Sequence, residues 1–160
     1  MLYLVLKLVH IVAVILFLGN ITTGVFWKAH ADRTRDPRII GHMLEGLLAS
    51  DRWFTIPAVI VIVLGGVGAA MAGGIRMLHV GWVLWPIVLF MVSGFAFGRF
   101  VSPLQRKMAK MFKSPPADRD IDWAAYEKLS RDWAFWGAIA LLAPALAVAI
   151  MVLKPNLPSL

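Results

Sequence analysis

The fold is decided by residues 2–27, which read LYLVLKLVHIVAVILFLGNITTGVFW. A helix needs about 20 mainly apolar residues to cross a bilayer, and this run is longer than that. The residues that interrupt it are Lys7, His10, Asn20, Thr22 and Thr23. A secretory signal peptide would have a basic segment before a shorter apolar run and a small-residue cleavage site after it. Because the run has neither, it predicts a transmembrane helix that stays in the mature protein.

Three further apolar runs follow, at about residues 53–73, 77–101 and 133–153. With the first run they predict an all-α integral membrane bundle of four transmembrane helices, forming a single domain over residues 1–160. The composition agrees, because 60% of the residues are hydrophobic and only 16% are charged. Soluble domains have roughly 45–50% apolar and about 25% charged residues.

Two shorter segments, at about residues 39–50 and 103–113, predict amphipathic helices on the cytoplasmic side. In the first segment the apolar residues recur at the spacing of one helix face. It is therefore either a surface helix or an extension of the second span that breaks near Asp51. Residues 114–116, Ser-Pro-Pro, predict the end of the second segment and the start of the loop before the fourth span. The fourth span is expected to extend back to Asp122.

The Lys and Arg residues indicate the orientation of the bundle. All of them except Lys7, Arg76 and Lys154 lie in or beside the connections between spans one and two and between spans three and four. Short loops rich in Lys and Arg stay in the cytoplasm. We therefore expect both termini on the non-cytoplasmic side of a bacterial inner (plasma) membrane. The formal charge is +7. We interpret the basic residues as topology signals and as contacts with anionic lipid head groups, and we expect no nucleic-acid partner.

His10 is the first candidate functional residue, because an ionisable side chain inside a span is costly and marks a functional site by default. It belongs to a seam of residues spaced by alternating steps of three and four, which we expect to face the bundle interior. The seam consists of His10, Ala13, Phe17, Asn20, Gly24 and Trp27. Lys7 precedes His10 by three residues and so lies on nearly the same side of the helix.

His79, near the outer end of the third span, is the second candidate. By the topology above it lies in the same outer half of the membrane as His10, and Arg76 precedes it by three residues. Such an arrangement would suit a b-type haem, with His10 and His79 as axial ligands and Lys7 and Arg76 at the propionates. Alternatively, His10 forms a hydrogen bond between helices and His79 is an ordinary interfacial residue. The absence of cysteine excludes disulfides, zinc–thiolate sites and thiol-attached haem.

The remaining polar and small residues are given structural interpretations. His30 and His42 are read as surface residues, with a second metal or haem site as the less favoured alternative. Glu45 and Asp51 are interpreted as solvated charges. Asp132 is interpreted as the partner of Arg131 in an ion pair. The predicted packing surfaces are the glycine-rich part of the second span, residues 65–74, and the pair Gly94 and Gly98. No catalytic constellation is visible, so no enzyme class is predicted.

The run LKLVHIVAVI, residues 6–15, resembles the first helix of the bacterial membrane protoporphyrinogen oxidase family. Those proteins are four-helix bundles whose Lys-x-x-His-Ile opening supplies a haem b ligand, and the resemblance implies that role for His10. The run also resembles the related copper-resistance D-type membrane domain. The oxidases place a Lys early in the third helix, where residues 78–82 have none. This departure argues against the oxidase activity and leaves the haem binding that the resemblance implies.

A second resemblance covers the third span. The stretch from Gly81-Trp82-Val83-Leu84 to the PLQRKM run at residues 103–108 looks like the third helix, and its exit, of a bacterial family of predicted integral membrane proteins with no assigned function.

Two classes of function remain open. The first is a haem b membrane protein that takes part in electron transfer near the outer face and exchanges electrons with a quinone or a partner protein. The second is a cofactor-free structural or accessory subunit that docks a larger membrane complex or forms a homodimer through its glycine-rich faces. A transporter is a third option, but four helices leave little room for a pathway unless the protein oligomerises.

Overall fold

Four long helices make up the computed structural model, which describes residues 1–113 and 121–160. The elements are α1 (Leu2–Thr34), α2 (Pro37–Ser50), a first π-helical turn (Asp51–Thr55), α3 (Ile56–Ala72), α4 (Gly81–Ala96), a second π-helical turn (Phe97–Val101), α5 (Ser102–Phe112) and α6 (Trp123–Leu153). No strand occurs in the described residues. Four helical stretches are long and apolar enough to cross a membrane: Leu2–Thr34, Pro37–Ala72, Gly81–Phe112 and Trp123–Leu153. The prediction of an all-α, four-helix membrane bundle is confirmed.

The second and third spans each continue through a π-helical turn into an amphipathic helix. Segment 39–50 is therefore an extension of the second span, and the break expected near Asp51 is a π-helical turn, in which Ile56 N–H bonds to Asp51 O. Such turns are rare and are frequent at functional sites. In the third span the second turn leads into the basic helix α5. The predicted end of that basic helix, at residues 114–116, lies outside the described residues.

A two-residue connection reverses the chain between α1 and α2. Arg35 ends α1 in the left-handed conformation, with φ of 53°. The Asp36 carboxylate then accepts a hydrogen bond of 2.8 Å from Arg38 N–H and caps α2, whose first residue is Pro37. This combination of cap and N-terminal Pro is a strong helix-start signal.

The two ends of the bundle differ in composition. Tyr3 lies against Gly73, and Leu160 N–H bonds to Leu78 O, so both termini meet the α3–α4 connection at one end. We call this the terminal end. The opposite end holds the α1–α2 connection, α5 and the start of α6, and we call it the basic end because most Lys and Arg residues lie there.

The helices pack as two antiparallel pairs. In the first pair, α1 lies on α3 so closely that a Cβ atom added to Gly66 would be 3.0 Å from the His10 ring, and one added to Gly68 would be 3.2 Å from Leu6. In the second pair, α4 lies on α6, where Ser93 Oγ donates a hydrogen bond of 2.6 Å to Ala140 O. The packing role predicted for the glycines of the second span is confirmed.

The same prediction is wrong for Gly94 and Gly98. No described atom lies within 4 Å of a Cβ built on either residue, and both residues are exposed. Neither glycine therefore brings two helices of the bundle into close contact, and Gly94 lines a small cavity between the two helix pairs.

The two pairs are joined mainly at the basic end. No Cα atom of α4 lies within 8 Å of a Cα atom of α1 or α3, whereas α1 approaches α6 and α2 approaches α5. The larger apolar core lies at this end and includes Ile40, Leu44, Met108, Phe112, Tyr126 and Trp133. Farther toward the terminal end the pairs meet through Phe17 and Phe90, whose ring centroids are 5.8 Å apart. The pairs are therefore held together at one end and separate toward the other.

Candidate functional site

His10 is anchored to the neighbouring helix of the first pair. Its Nδ1 donates a hydrogen bond of 2.8 Å to the backbone oxygen of Ile62. A carbonyl oxygen can only accept, so Nδ1 carries a proton, and in the neutral form of the ring the lone pair is on Nε2. The side chain is half-buried. His10 thus presents a fixed imidazole with one nitrogen atom suited to binding a metal.

Two consecutive glycines shape the surface under this ring. A Cβ atom on Gly65 would lie 3.3 Å from the backbone of His10, and one on Gly66 would lie 3.0 Å from the imidazole. Only residues without a side chain allow α1 and α3 to approach so closely here. The glycines therefore set both the helix spacing and the height of the ring above α3.

We expect Gly66→Ala to destabilise the protein by about 1–3 kcal/mol, because the added methyl group forces the hydrogen-bonded ring away from its position. The matched control is Gly19→Ala, since no described atom lies within 4 Å of a Cβ at that site. That change should leave the protein as stable or slightly more stable, as Ala favours helix over Gly by about 1 kcal/mol. Thermal unfolding in mild detergent measures both. Equal stability of the two variants would contradict the close packing at His10.

Lys7 lies one turn nearer the terminal end than His10. Its side chain is exposed, and its Nζ atom is 5.8 Å from the centroid of the Tyr3 ring. The spacing of three residues keeps Lys7 on nearly the same face of α1 as His10.

His79 and Arg76 lie apart from His10, in the connection that precedes α4. Both are exposed, and α4 begins only at Gly81. His79 Nδ1 donates a hydrogen bond of 2.5 Å to Leu160 O, while His79 N–H bonds to Arg76 O. The two histidines thus have different partners, α3 for His10 and the segment after α6 for His79, and no described contact joins them.

The predicted interior seam of α1 is present for most of its length. Ala13 and Phe17 are buried, Asn20 Nδ2 donates to Thr55 Oγ1 at 2.9 Å, and Gly24 lies against Leu47. The prediction is wrong for Trp27, which is 57% exposed. The α1–α2 contact is looser at that depth, and a helix at 3.6 residues per turn drifts from a seam drawn with 3.5-residue spacing.

Residues 4–155 match the model of a family described as "Predicted integral membrane protein (DUF2269)". The chain belongs to this family. The resemblance to a family of predicted integral membrane proteins of unknown function is therefore confirmed, and so is the membrane environment. No curated protein and no solved structure matches the chain.

Sequence reasoning missed a polar network at the first π-helical turn of this family member. Asp51 accepts hydrogen bonds from Thr55 Oγ1 at 2.8 Å and from Gln105 Nε2 at 3.1 Å. Asn20 extends the network through its bond to Thr55. Asp51 was interpreted as a solvated charge, whereas it is half-buried and hydrogen-bonded to Thr55 and to Gln105 of α5. The available signal was Asn20 on the seam, which requires a polar partner inside the bundle.

A second missed cluster joins α1 to α6 at the basic end. Lys28 is only 2% exposed, and its Nζ contacts Asp32 Oδ2 and Ser130 Oγ, both at 2.6 Å. Tyr126 OH donates to the other Asp32 oxygen at 2.5 Å, and the Trp133 ring centroid is 5.1 Å from Nζ. Lys28 had been counted only as a topology signal. Its spacing of four residues from Asp32, which places the two side chains together, was the sequence clue.

The remaining ionisable candidates form no multi-ligand site. His30 is exposed and packs on Phe26, while His42 is exposed and lines an open groove of about 290 Å³ between α1 and α2. Within residues 1–113 and 121–160, no three His, Cys, Asp or Glu side chains form a group that could hold a metal ion. Nor does the expected ion pair between Asp132 and Arg131 occur among the described contacts.

Proposed function

We propose that this protein binds haem b in the bacterial inner membrane and takes part in electron transfer or redox chemistry, with His10 as an axial ligand. The observation that carries the proposal is the hydrogen bond from His10 Nδ1 to Ile62 O. Histidines that bind metals almost always donate their second N–H to a carbonyl or carboxylate, which fixes the tautomer and raises the basicity of the ligating nitrogen.

The surroundings of His10 fit a large planar cofactor. The two helix pairs are not in close backbone contact along α4, since no Cα atom of α4 lies within 8 Å of a Cα atom of α1 or α3. Phe17 and Phe90 supply aromatic surface at the level where the pairs meet. Lys7, exposed one turn nearer the terminal end, provides a cation for a propionate group.

In this proposal the chain supplies orientation and electrostatics. Ile62 O holds the imidazole of His10, and the low-polarity surroundings of the helix pairs exclude water from it. When bound, haem would supply one-electron chemistry, with its potential set by the axial ligand and its hydrogen bonds. The basic end faces the cytoplasm by the distribution of Lys and Arg, which places His10 in the outer half of the membrane. A membrane quinone or a partner protein would exchange the electron.

A cofactor-free accessory subunit is the second candidate. It is favoured by Gly98, which is exposed and has open space above it, so that a helix of a partner subunit or of a second copy could approach closely. Gly94, four residues earlier, lines a small cavity between the helix pairs. In that case the His10–Ile62 bond serves only to hold α1 on α3.

The visible spectrum decides between the two. The protein should be expressed in a haem-replete host, purified in mild detergent, and recorded before and after dithionite reduction. We expect a Soret band, and α and β bands on reduction, at near-stoichiometric haem content. A preparation that is colourless and remains so with added hemin would contradict haem binding and favour the accessory subunit.

The pairing of His10 with His79 remains a prediction, and His79→Ala tests it. If His79 supplies the second axial nitrogen, its loss converts a low-spin spectrum to a high-spin one. An unchanged spectrum would show that His79 serves only to hold Leu160, as its hydrogen bond indicates.

A further inference from the structure

The Asp51 carboxylate accepts its hydrogen bonds from neutral side chains. Its two oxygens accept hydrogen bonds from Thr55 and Gln105, and Thr55 in turn accepts one from Asn20. Among the described residues no Lys or Arg nitrogen lies within 4 Å of the carboxylate. A carboxylate enclosed in a membrane bundle without a cationic partner is unusual, although most cations of the chain lie at this end.

Gln105, the donor from α5, has an unpaired amide oxygen. This side chain is only 2% exposed. Its Nε2 donates a hydrogen bond to Asp51, but its Oε1 has no hydrogen-bond partner. A buried acceptor without a donor is costly, and such groups call for a specific explanation. The amide is joined to Asp51 through its nitrogen, so the orphan oxygen belongs to the group that contacts the carboxylate.

A carboxylic acid and a primary amide are complementary. The amide N–H donates to one acid oxygen, and the acid O–H donates to the amide oxygen. An ionised carboxylate has no proton to donate and can only accept. Asp51 as a carboxylate therefore satisfies the nitrogen of Gln105 but not its oxygen, whereas one added proton supplies the missing donor.

We propose that Asp51 is a proton-binding site that exchanges a proton with the aqueous phase at the basic end, and that Gln105 is its partner in the protonated state. On uptake, a carboxylate oxygen of Asp51 forms an O–H bond with a proton from water, and this O–H then donates to Gln105 Oε1. Release reverses the step, and no electron moves. The inference goes beyond haem binding and does not depend on it.

No described charged side chain takes the place of a proton at Asp51, either as a salt-bridge partner or as a second titrating group in contact with it. From α1 the facing residue is Asn20, and from α5 it is Gln105, neither of which titrates. The neighbouring charged side chains Arg52, Glu45 and Arg106 are exposed. Since Asp51 itself is only half-buried, water from the basic end can reach it.

Infrared difference spectroscopy tests the proposal on the complete protein, with or without haem. Spectra at acidic and alkaline pH should differ by the carbonyl stretches of protonated carboxyl groups, which shift to lower frequency in D2O, and one band among them should belong to Asp51. We expect Asp51→Asn to remove the band and Glu45→Gln, which changes an exposed acid on the same helix, to retain it. Asp51→Asn should fold, because an amide can also donate to Gln105 Oε1.

The variant Gln105→Leu tests whether Gln105 accepts a hydrogen bond from protonated Asp51. Without its acceptor, the Asp51 O–H forms a weaker hydrogen bond, so the band should move to higher frequency. The proposal is overturned if wild type and Asp51→Asn give the same difference spectrum at every pH. An unmoved band in Gln105→Leu would remove Gln105 from the site. If Asp51→Asn does not fold, Asp51→Glu keeps the carboxyl group, and a displaced band then supports the assignment while an unchanged one contradicts it.

Discussion

His10→Ala is expected to abolish haem binding, reducing the haem content from near-stoichiometric to background. The change removes the imidazole that Ile62 O holds between α1 and α3, and alanine offers iron no ligand in its place. The measurement is the haem-to-protein ratio of detergent-purified samples, read from the reduced spectrum. A variant that retains the wild-type ratio would show that His10 is not the ligand.

Two further variants separate ligation from packing. His10→Asn keeps a donor that can reach Ile62 O, so we expect it to stay folded, as judged by thermal unfolding, and yet to lose haem. His42→Ala removes an exposed histidine at the basic end and should leave the haem content unchanged. If His10→Asn binds haem normally, the hydrogen bond to Ile62, which joins α1 to α3, is the whole role of the residue.

Features that repeat along the sequence could be predicted from it. The four apolar runs gave four spans because bilayer thickness sets the length of a spanning helix. The seam through Ala13 and Phe17 was found because burial on one helix face imposes a helical period. His10 stood out because an imidazole within an apolar run needs a partner, and the partner is the backbone of Ile62.

Features that depend on which helices meet could not be predicted. Gly94 and Gly98 have the same spacing as packing glycines, but only the arrangement of the pairs shows that no described helix packs closely on them. Each π-helical turn directly precedes a helix whose second residue is proline, Pro57 or Pro103, which cannot donate the regular helix hydrogen bond. The partner that a turn meets depends on packing, and one turn brings Asp51 within reach of Gln105, 54 positions away. His79 was placed inside a span because its neighbours are apolar, whereas the chain there forms a connection held by Leu160.

Lys28→Met is expected to destabilise the protein by up to about 3–5 kcal/mol, the effect of removing one partner of a fully buried ion pair, because Lys28 is 2% exposed and Asp32 is 27% exposed. The stability is lost because the Asp32 carboxylate loses its cationic partner. Asp32, still bound by Tyr126, would keep its charge without the ammonium group that now lies 2.6 Å from it. Since this cluster joins α1 to α6 where the two helix pairs are held together, thermal unfolding in mild detergent should show the loss directly.

The exposed pair Arg35–Glu127 provides the control, because it also joins the α1 end to α6 and has the same 2.6 Å separation, but its side chains are 62% and 44% exposed. Arg35→Met should change stability by less than about 1 kcal/mol. The double variant Lys28→Met/Asp32→Asn should be more stable than Lys28→Met alone, since Asn still accepts from Tyr126 and leaves no buried charge. If Lys28→Met proves no worse than Arg35→Met, the Lys28 ammonium group is hydrated, and burial at the α1–α6 contact does not determine its contribution.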